Sequence, residues 1–237
     1  MLNIVTALSI EAKPIIEYFK LKSKEDIYQN DKINLIVTGS GKIKSAINTA
    51  LLISKYPYKT LNIGIAGSNK YELSEGFFIN KITDIDTGFD YYPDFFKEPS
   101  SNIVCVSKVQ NYYTLTDMES SGFFEAAYKF LSVENIILYK IVSDNPKTEI
   151  NVKLIPELIK KHIKIIEEML ENEKNEFFIE IEEYLKEARN KIHLTNTQFN
   201  QLKNNLIYLK TKNKKLPSIP FLKTKKEVNE FINSLTS

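Results

Sequence analysis

The first 144 residues alternate short apolar runs with helical patterns, and this alternation limits the chain to few folds. The runs of strand length are 2–8, 33–37, 61–65, 76–83, 103–106 and 136–142. Between them, 42–55 and 118–131 carry apolar residues at helical spacing. Strands that alternate with helices predict an α/β fold. We expect a single mixed, largely parallel sheet flanked by helices.

The composition changes after this part of the chain. From Glu167 to Glu187 there are nine glutamates and two lysines, whereas Arg189 to Lys226 contains ten lysines and arginines and no acidic residue. Thr195 and Gln198 have the spacing of a capping box, which predicts that a helix begins there. The segment from Pro217 to Pro220 should prevent this helix from continuing. The pattern predicts an α/β domain at 1–171 and a lysine-rich, α-helical C-terminal extension at 172–237.

Charge and cysteine content narrow the classes of partner and compartment. The net charge is only +2, which gives no global field that would attract nucleic acid or a membrane. Cys105 is the only cysteine, so no intrachain disulfide can form. No apolar run approaches the ~20 residues of a membrane span, and the first ten residues lack a signal-peptide pattern. We expect a cytoplasmic protein with no membrane partner.

Three carboxylates follow strand ends, where ligands collect in parallel sheets. They are Glu11, Glu119 and Asp144. Glu11 and Glu119 also lie at predicted helix starts, where a carboxylate can simply complement the helix dipole. Each residue alone is therefore a weak indication of a site, and the argument for chemistry depends on all three together.

The segments around these acids carry six short motifs in order along the chain. They are Ala-x-x-x-Glu at 7–11, Thr-Gly-Ser-Gly-Lys at 38–42, Asn-Ile-Gly-Ile-Ala-Gly at 62–67, Gly76, Met118-Glu119 and Ser143-Asp144. Together these motifs resemble the 5'-methylthioadenosine/S-adenosylhomocysteine nucleosidase branch of the nucleoside phosphorylase superfamily. The resemblance covers roughly residues 1–170, although the stretch between Gly76 and Met118 is shorter than in those nucleosidases.

The resemblance implies hydrolysis of the N-glycosidic bond of a purine nucleoside. Protonated Asp144 would deliver a proton toward purine N7. Glu119 would accept hydrogen bonds from the ribose hydroxyls and stabilise the developing oxocarbenium ion. Glu11 would position or deprotonate the attacking water.

The remaining implied residues bind substrate. The expected substrate-binding set is Gly41, Ala66, Gly67, Met118 and Ser143, with Ser143 orienting Asp144. No metal or organic cofactor is needed for this reaction, and the family resemblance also implies a homodimer.

Three alternatives remain open at this stage. Lys42 or Lys44 could bind phosphate, which would make the protein a phosphorylase, although the only arginine, Arg189, lies far from the domain. The chain could instead be a non-catalytic nucleoside-binding protein, or a nucleic-acid-associated protein that binds through 189–226. Two local features are also open: residues 84–94 are expected to form a loop at the pocket edge, and Tyr112 or Tyr113 could stack on the base.

Overall fold

The computed structural model describes residues 1–95, 97–108, 111, 113–148, 150–172, 176–211, 214–222 and 224–235. The chain divides into two compact units, Met1–Leu170 and Glu171–Ser237. Within the described residues, no helix is long and apolar enough to cross a membrane.

The first unit is built on one sheet of ten strands. The strands are β1 (Leu2–Thr6), β2 (Lys22–Lys24), β3 (Ile27–Gln29), β4 (Ile33–Val37), β5 (Thr60–Gly67), β6 (Gly76–Asp84), β7 (Asp90–Tyr91), β8 (Ser100–Cys105), β9 (Thr116–Asp117) and β10 (Ile136–Asp144). The long ladders β1–β4, β5–β10 and β6–β8 are parallel, whereas the antiparallel ladders are short. The prediction of a mixed, largely parallel α/β sheet is confirmed.

Part of this sheet closes on itself. Strand β10 pairs with β5 on one side and with β6 on the other, and β6 connects through β8 and β9 back to β5. On the other side of β5 the sheet continues through β1, β4, β3 and β2. Strand β5 therefore lies where the closed part meets the open part, and its carboxyl end borders both.

Helices cover both faces of the sheet. They are α1 (Ser9–Phe19), α2 (Lys42–Lys55), α3 (Ser120–Tyr128), α4 (Ile155–Lys161) and α5 (Ile163–Asn172). Successive residues of a strand belong to different apolar cores: Val5 packs in one core and Ile4 in the other. This alternation explains the continuous apolar runs in the sequence, because a strand buried on both faces has no solvent side.

One stretch of sequence with a single helical pattern forms two helices in the structure. The apolar pattern over 155–170 predicts a single helix, but the structure ends α4 at Lys161 and begins α5 at Ile163. His162 lies between them, with Nδ1 2.8 Å from the Tyr139 hydroxyl and Nε2 2.9 Å from the Ser74 carbonyl oxygen. These partners are distant in sequence, so the local pattern does not reveal the break.

The second unit is helical, with α6 (Glu176–Lys191), α7 (Asn196–Thr211) and α8 (Lys225–Ser234). Residues of all three helices, such as Ala188, Leu206 and Ile232, share one buried core. The expected capping box begins α7, because the Thr195 N–H donates to Gln198 Oε1 at 3.0 Å and the Gln198 N–H donates to Thr195 Oγ1 at 3.3 Å.

Candidate active site

A cavity of about 310 Å³ lies at the carboxyl ends of β1, β5 and β10. Glu11, Glu119 and Asp144 all line it, although they come from three separate segments of the chain. Met118, Ala66, Gly67 and Ser143 line it as well. The structure therefore brings together seven of the eight residues that the sequence singled out.

Glu11 is fixed at the first turn of α1. Its Oε2 accepts hydrogen bonds from the N–H groups of Ala7 at 2.9 Å and Leu8 at 2.8 Å, and its Oε1 accepts one from the Ile65 N–H at 2.9 Å. Burial raises the pKa of this carboxyl, and the N–H groups of Ile65 and Leu8 and the charge of Lys140 limit that rise.

Gly64 makes this position of Glu11 possible. A Cβ atom at residue 64 would lie 2.9 Å from Glu11 Oε1 and 3.5 Å from its Cδ. A strand residue with a side chain would therefore push the carboxylate away from the wall of the cavity.

Glu119 lies between the end of β9 and the start of α3. Its Oε1 accepts hydrogen bonds from Ser40 Oγ at 2.9 Å and from the Gly41 N–H at 2.7 Å, while Oε2 accepts one from the Met118 N–H at 3.3 Å. Burial and the neighbouring Asp117 charge raise the pKa of Glu119, against the opposing effect of Lys140. Gly41 is not itself among the residues that line the cavity, so its contact with the site runs through Glu119.

A β-bulge at the end of β10 sets the position of Asp144. Val142 pairs with Ala66, but the next pair along the ladder is Asp144 with Gly67, so Ser143 is an extra residue. The Ser143 hydroxyl donates to Asp144 Oδ1 at 2.5 Å. This hydrogen bond restricts the orientation of the Asp144 carboxyl.

Lys140 and Asp117 are cavity residues that the sequence reasoning missed. Both side chains are almost fully buried, and Lys140 Nζ lies 2.9 Å from Asp117 Oδ2. Burial lowers the pKa of Lys140, but Asp117, Glu119 and Glu11 outweigh this effect and hold the pKa above its usual value. A signal was present: lysine in the middle of an apolar strand is almost never buried without a partner.

The lysines considered as phosphate ligands do not line the cavity. Lys42 Nζ is 2.8 Å from Asp84 and also contacts Asp86, and Lys44 is exposed. The expectation that 84–94 forms the pocket edge is wrong, because these residues are absent from the described lining and two of them bind Lys42 instead. Tyr113 is not a lining residue either, and Tyr112 lies outside the described residues.

The described residues contain no group of three or more His, Cys, Asp or Glu side chains placed to hold a metal ion. The polar groups that line the cavity are four carboxyl groups, one ammonium group and the hydroxyl and amide groups around them.

The closed and open parts of the sheet, with helices on both faces, form a nucleoside phosphorylase-like fold. Within that class, the structure is similar to solved 5'-methylthioadenosine/S-adenosylhomocysteine nucleosidases, so the resemblance seen in the sequence is confirmed at the level of fold. No family model matches the sequence, and no curated protein matches it.

Three solved structures illustrate this similarity. The nucleosidase of Campylobacter jejuni is 16% identical, with a TM-score of 0.62 over 72% of this chain and 98% of that one. The 5'-methylthioadenosine nucleosidase of Arabidopsis thaliana is 14% identical, with a TM-score of 0.61 over 71% and 95%. A variant nucleosidase of Chlamydia trachomatis bound to MTA is 17% identical, with a TM-score of 0.57 over 71% and 98%.

Proposed function

We propose that the first unit hydrolyses the N-glycosidic bond of a purine nucleoside. The observation that carries this proposal is the meeting of Glu11, Glu119 and Asp144 at one cavity. N-glycosidic cleavage needs a leaving base, tolerance of positive charge on the sugar, and an activated nucleophile. One carboxylic acid and two carboxylates can meet these three needs without any cofactor.

The charge of the cavity favours a cationic transition state. Three carboxylates, from Glu11, Asp117 and Glu119, line it together with the acid Asp144, against the single cation Lys140 among the described lining residues. An oxocarbenium ion that develops in this cavity is stabilised by the excess negative charge, and burial strengthens that interaction because water does not screen it.

Glu11 is suited to act as the base toward water. Both lone pairs of Oε2 are used by the N–H groups of Ala7 and Leu8, and Oε1 uses one on Ile65, which leaves one lone pair on Oε1. The raised pKa of Glu11 moves it toward the range in which a carboxylate accepts a proton efficiently near neutral pH.

Glu119 is suited to hold the ribose. Its Oε1 is occupied by Ser40 and Gly41, but Oε2 accepts only one long hydrogen bond from Met118 among the described residues. Oε2 therefore has room for a ribose hydroxyl. Asp144, oriented by Ser143, would then protonate the departing base at N7.

Water fits this cavity better than phosphate does. A phosphate anion would meet the carboxylates of Glu11, Asp117 and Glu119, and the ammonium group of Lys140 is already paired with Asp117 at 2.9 Å. Lys42 is held by Asp84 and Asp86 outside the lining. These ion pairs argue for hydrolysis over phosphorolysis.

The substrates to test first are methylthioadenosine and S-adenosylhomocysteine. The solved structures of similar fold are nucleosidases for these compounds. The apolar lining residues Leu8, Ile65, Met118 and Ile150 would suit a base and an apolar 5' substituent.

The test is base release by the purified full-length chain, followed by chromatography, with and without phosphate. The substrates are the two compounds above together with adenosine, inosine and guanosine. We expect release without phosphate, and a loss of about 100-fold or more in kcat for Asp144→Asn. Asp90→Asn is the matched control, since Asp90 is exposed and outside the cavity.

Each other outcome contradicts a defined part of the proposal. Release that requires phosphate would overturn hydrolysis and show a phosphorylase. Binding of a nucleoside by calorimetry without release would show a non-catalytic binding protein. Equal loss of activity in Asp144→Asn and Asp90→Asn would remove the assignment of Asp144.

We also infer that a second copy of the chain covers one face of α2. Ile43, Ile47 and Leu51 repeat at every fourth residue and are 76%, 62% and 39% exposed. Such an apolar stripe is typical of an interface. Light scattering after size-exclusion chromatography should show a dimer, and Ile47→Lys should convert this dimer to a monomer. Leu73→Lys, a change in an exposed loop, is the control and should leave the dimer intact. A wild-type monomer would contradict the inference.

A further inference from the structure

A second cavity lies within the helical unit, between α6 and α7. It has a volume of about 340 Å³ and is lined by Leu185, Lys186, Arg189, Asn190, Phe199 and Lys203. We call it the α6–α7 groove. Its charge is positive, because three of its six lining residues are cations and none of the described lining residues is acidic.

The helical spacing puts these cations on facing surfaces. Lys186, Arg189 and Asn190 are three and four residues apart on α6, and Phe199 and Lys203 are four apart on α7. The cations of the groove are exposed, whereas Leu185 is buried at its base. The sequence has no acidic residue from Arg189 to Lys226, so α7 itself carries no carboxylate that could neutralise these cations.

Lys210 of α7 is paired with Glu180 of α6. Lys191 is likewise paired, with Glu187. No salt bridge of Lys186, Arg189 or Lys203 to another described residue accompanies them. Among the described residues that line the groove, the charge is therefore positive.

Arg189, the only arginine of the chain, adds a planar surface to this charge. Its Cζ lies 3.8 Å from the centroid of the half-buried Phe199 ring. At this distance the guanidinium makes a cation–π contact with the ring, which restricts its position. A guanidinium fixed in this way loses little entropy when a second planar group stacks on it.

We propose that the α6–α7 groove binds single-stranded nucleic acid, with a base stacked on Arg189 and flanking phosphates paired with Lys186 and Lys203. Single strands offer both groups at once, since their bases are unstacked and their backbone is anionic. In a duplex the faces of the bases are stacked on one another and are not free to stack on Arg189, and a lipid surface offers no planar base. This inference does not depend on the cavity of the first unit.

The test is fluorescence anisotropy with the full-length chain and labelled oligothymidylate and oligouridylate of about 15 nucleotides, a length within the range of known single-strand sites. A duplex of equal length is the comparison. Salt is varied from about 20 to about 200 mM. We expect both single strands to bind more tightly than the duplex.

Two variants separate charge from stacking. The triple variant Lys186→Gln/Arg189→Gln/Lys203→Gln should lower the slope of log K against log salt by about 1.4, because it removes the phosphate contacts of Lys186 and Lys203 and each such contact on a single strand contributes about 0.7. Arg189→Lys keeps the charge and removes the planar surface, so it should weaken binding by at least about fivefold and leave the slope unchanged. Lys226→Gln, on α8 and outside the groove, is the control and should bind as the wild type does.

Circular dichroism melts of each variant check that the helical unit stays folded. No binding of single strands at the lowest salt would overturn the proposal, as would a duplex that binds equally well or a triple variant that binds like the wild type. Binding to phosphatidylserine vesicles in preference to either oligonucleotide would also overturn it.

Discussion

Lys140 Nζ and Asp117 Oδ2 are 2.9 Å apart, and the two side chains are only 2% and 1% exposed. Asp117 is further held by Ser120, whose hydroxyl donates to Oδ1 at 2.6 Å. The pair places one fixed positive charge beside two buried carboxylates, Glu11 and Glu119, whose pKa values burial raises. Lys140 therefore opposes the effect of burial and favours the ionised form of both acids.

Removal of Lys140 should be costly, because Asp117 would remain as a buried charge without its partner. We expect Lys140→Met to lower the free energy of unfolding by about 3–5 kcal/mol, measured by urea denaturation. The double variant Lys140→Met/Asp117→Asn should recover part of this loss. Lys81→Met is the control, since the side chains of the Lys81–Asp90 pair are 32% and 36% exposed and this ion pair should contribute little. Additive effects of Lys140→Met and Asp117→Asn would show that the pair is not coupled.

The fold was predictable where burial on both sides of the sheet leaves long apolar runs, as in β1, β5 and β10. The β2–β3 hairpin was not, because Lys22–Lys24 is fully exposed and has no apolar period. The three carboxylates were predictable from the motifs that contain them. That they lie at one cavity depends on the pairing of β5 with β1 and β10, which no local pattern reveals. Lys140 was missed because its partner Asp117 is 23 residues away and no local pattern joins them.

Glu119 should contribute to activity at the expense of stability. Its folded-state pKa is raised above the ordinary value of 4.5, mainly by burial, so the folded state binds more protons than the unfolded state between these values. The contribution of Glu119 to stability is therefore present below about pH 4.5 and is lost as the pH rises through the folded-state pKa.

We expect Glu119→Gln to lose nucleosidase activity yet to melt at a higher temperature than the wild type at pH 8, with the difference vanishing near pH 4. Thermal melts at several pH values measure this. Glu72→Gln changes an exposed glutamate and should follow the wild-type curve. A variant that is less stable than wild type at every pH would contradict the sign of the effect.

Gly64→Ala tests whether the position of Glu11 matters for turnover. The new Cβ would lie 2.9 Å from Glu11 Oε1, closer than ordinary contacts allow, while three N–H groups hold the same carboxylate in place. We expect kcat to fall by about tenfold or more, since small displacements of a catalytic group are costly. Nucleoside binding, measured by calorimetry, should change less. A normal kcat would show that Glu11 is not the base.

His162 should make stability depend on pH in mildly acidic solution. Its Nε2 faces the Ser74 carbonyl oxygen, so Nε2 carries the proton, and neutral Nδ1 accepts from the Tyr139 hydroxyl. Lys161 adds a positive charge nearby, with Nζ 3.5 Å from Ser74 Oγ. Burial lowers the pKa of His162, and the charge of Lys161 lowers it further, against the opposing effect of the Ser74 carbonyl.

Because the folded-state pKa of His162 is lowered, the unfolded state binds more protons below its own pKa of about 6.5. The stabilising contribution is therefore present above that pH and is lost as the pH falls through the folded-state value, at no more than about 1.4 kcal/mol per pH unit. Urea midpoints of His162→Gln between about pH 5 and 8 should show a shallower acid decline than the wild type. His193→Gln changes the other histidine, which is exposed, and its urea midpoint should fall with pH as that of the wild type does. If the midpoints of all three proteins fall in parallel, this role of His162 is refuted.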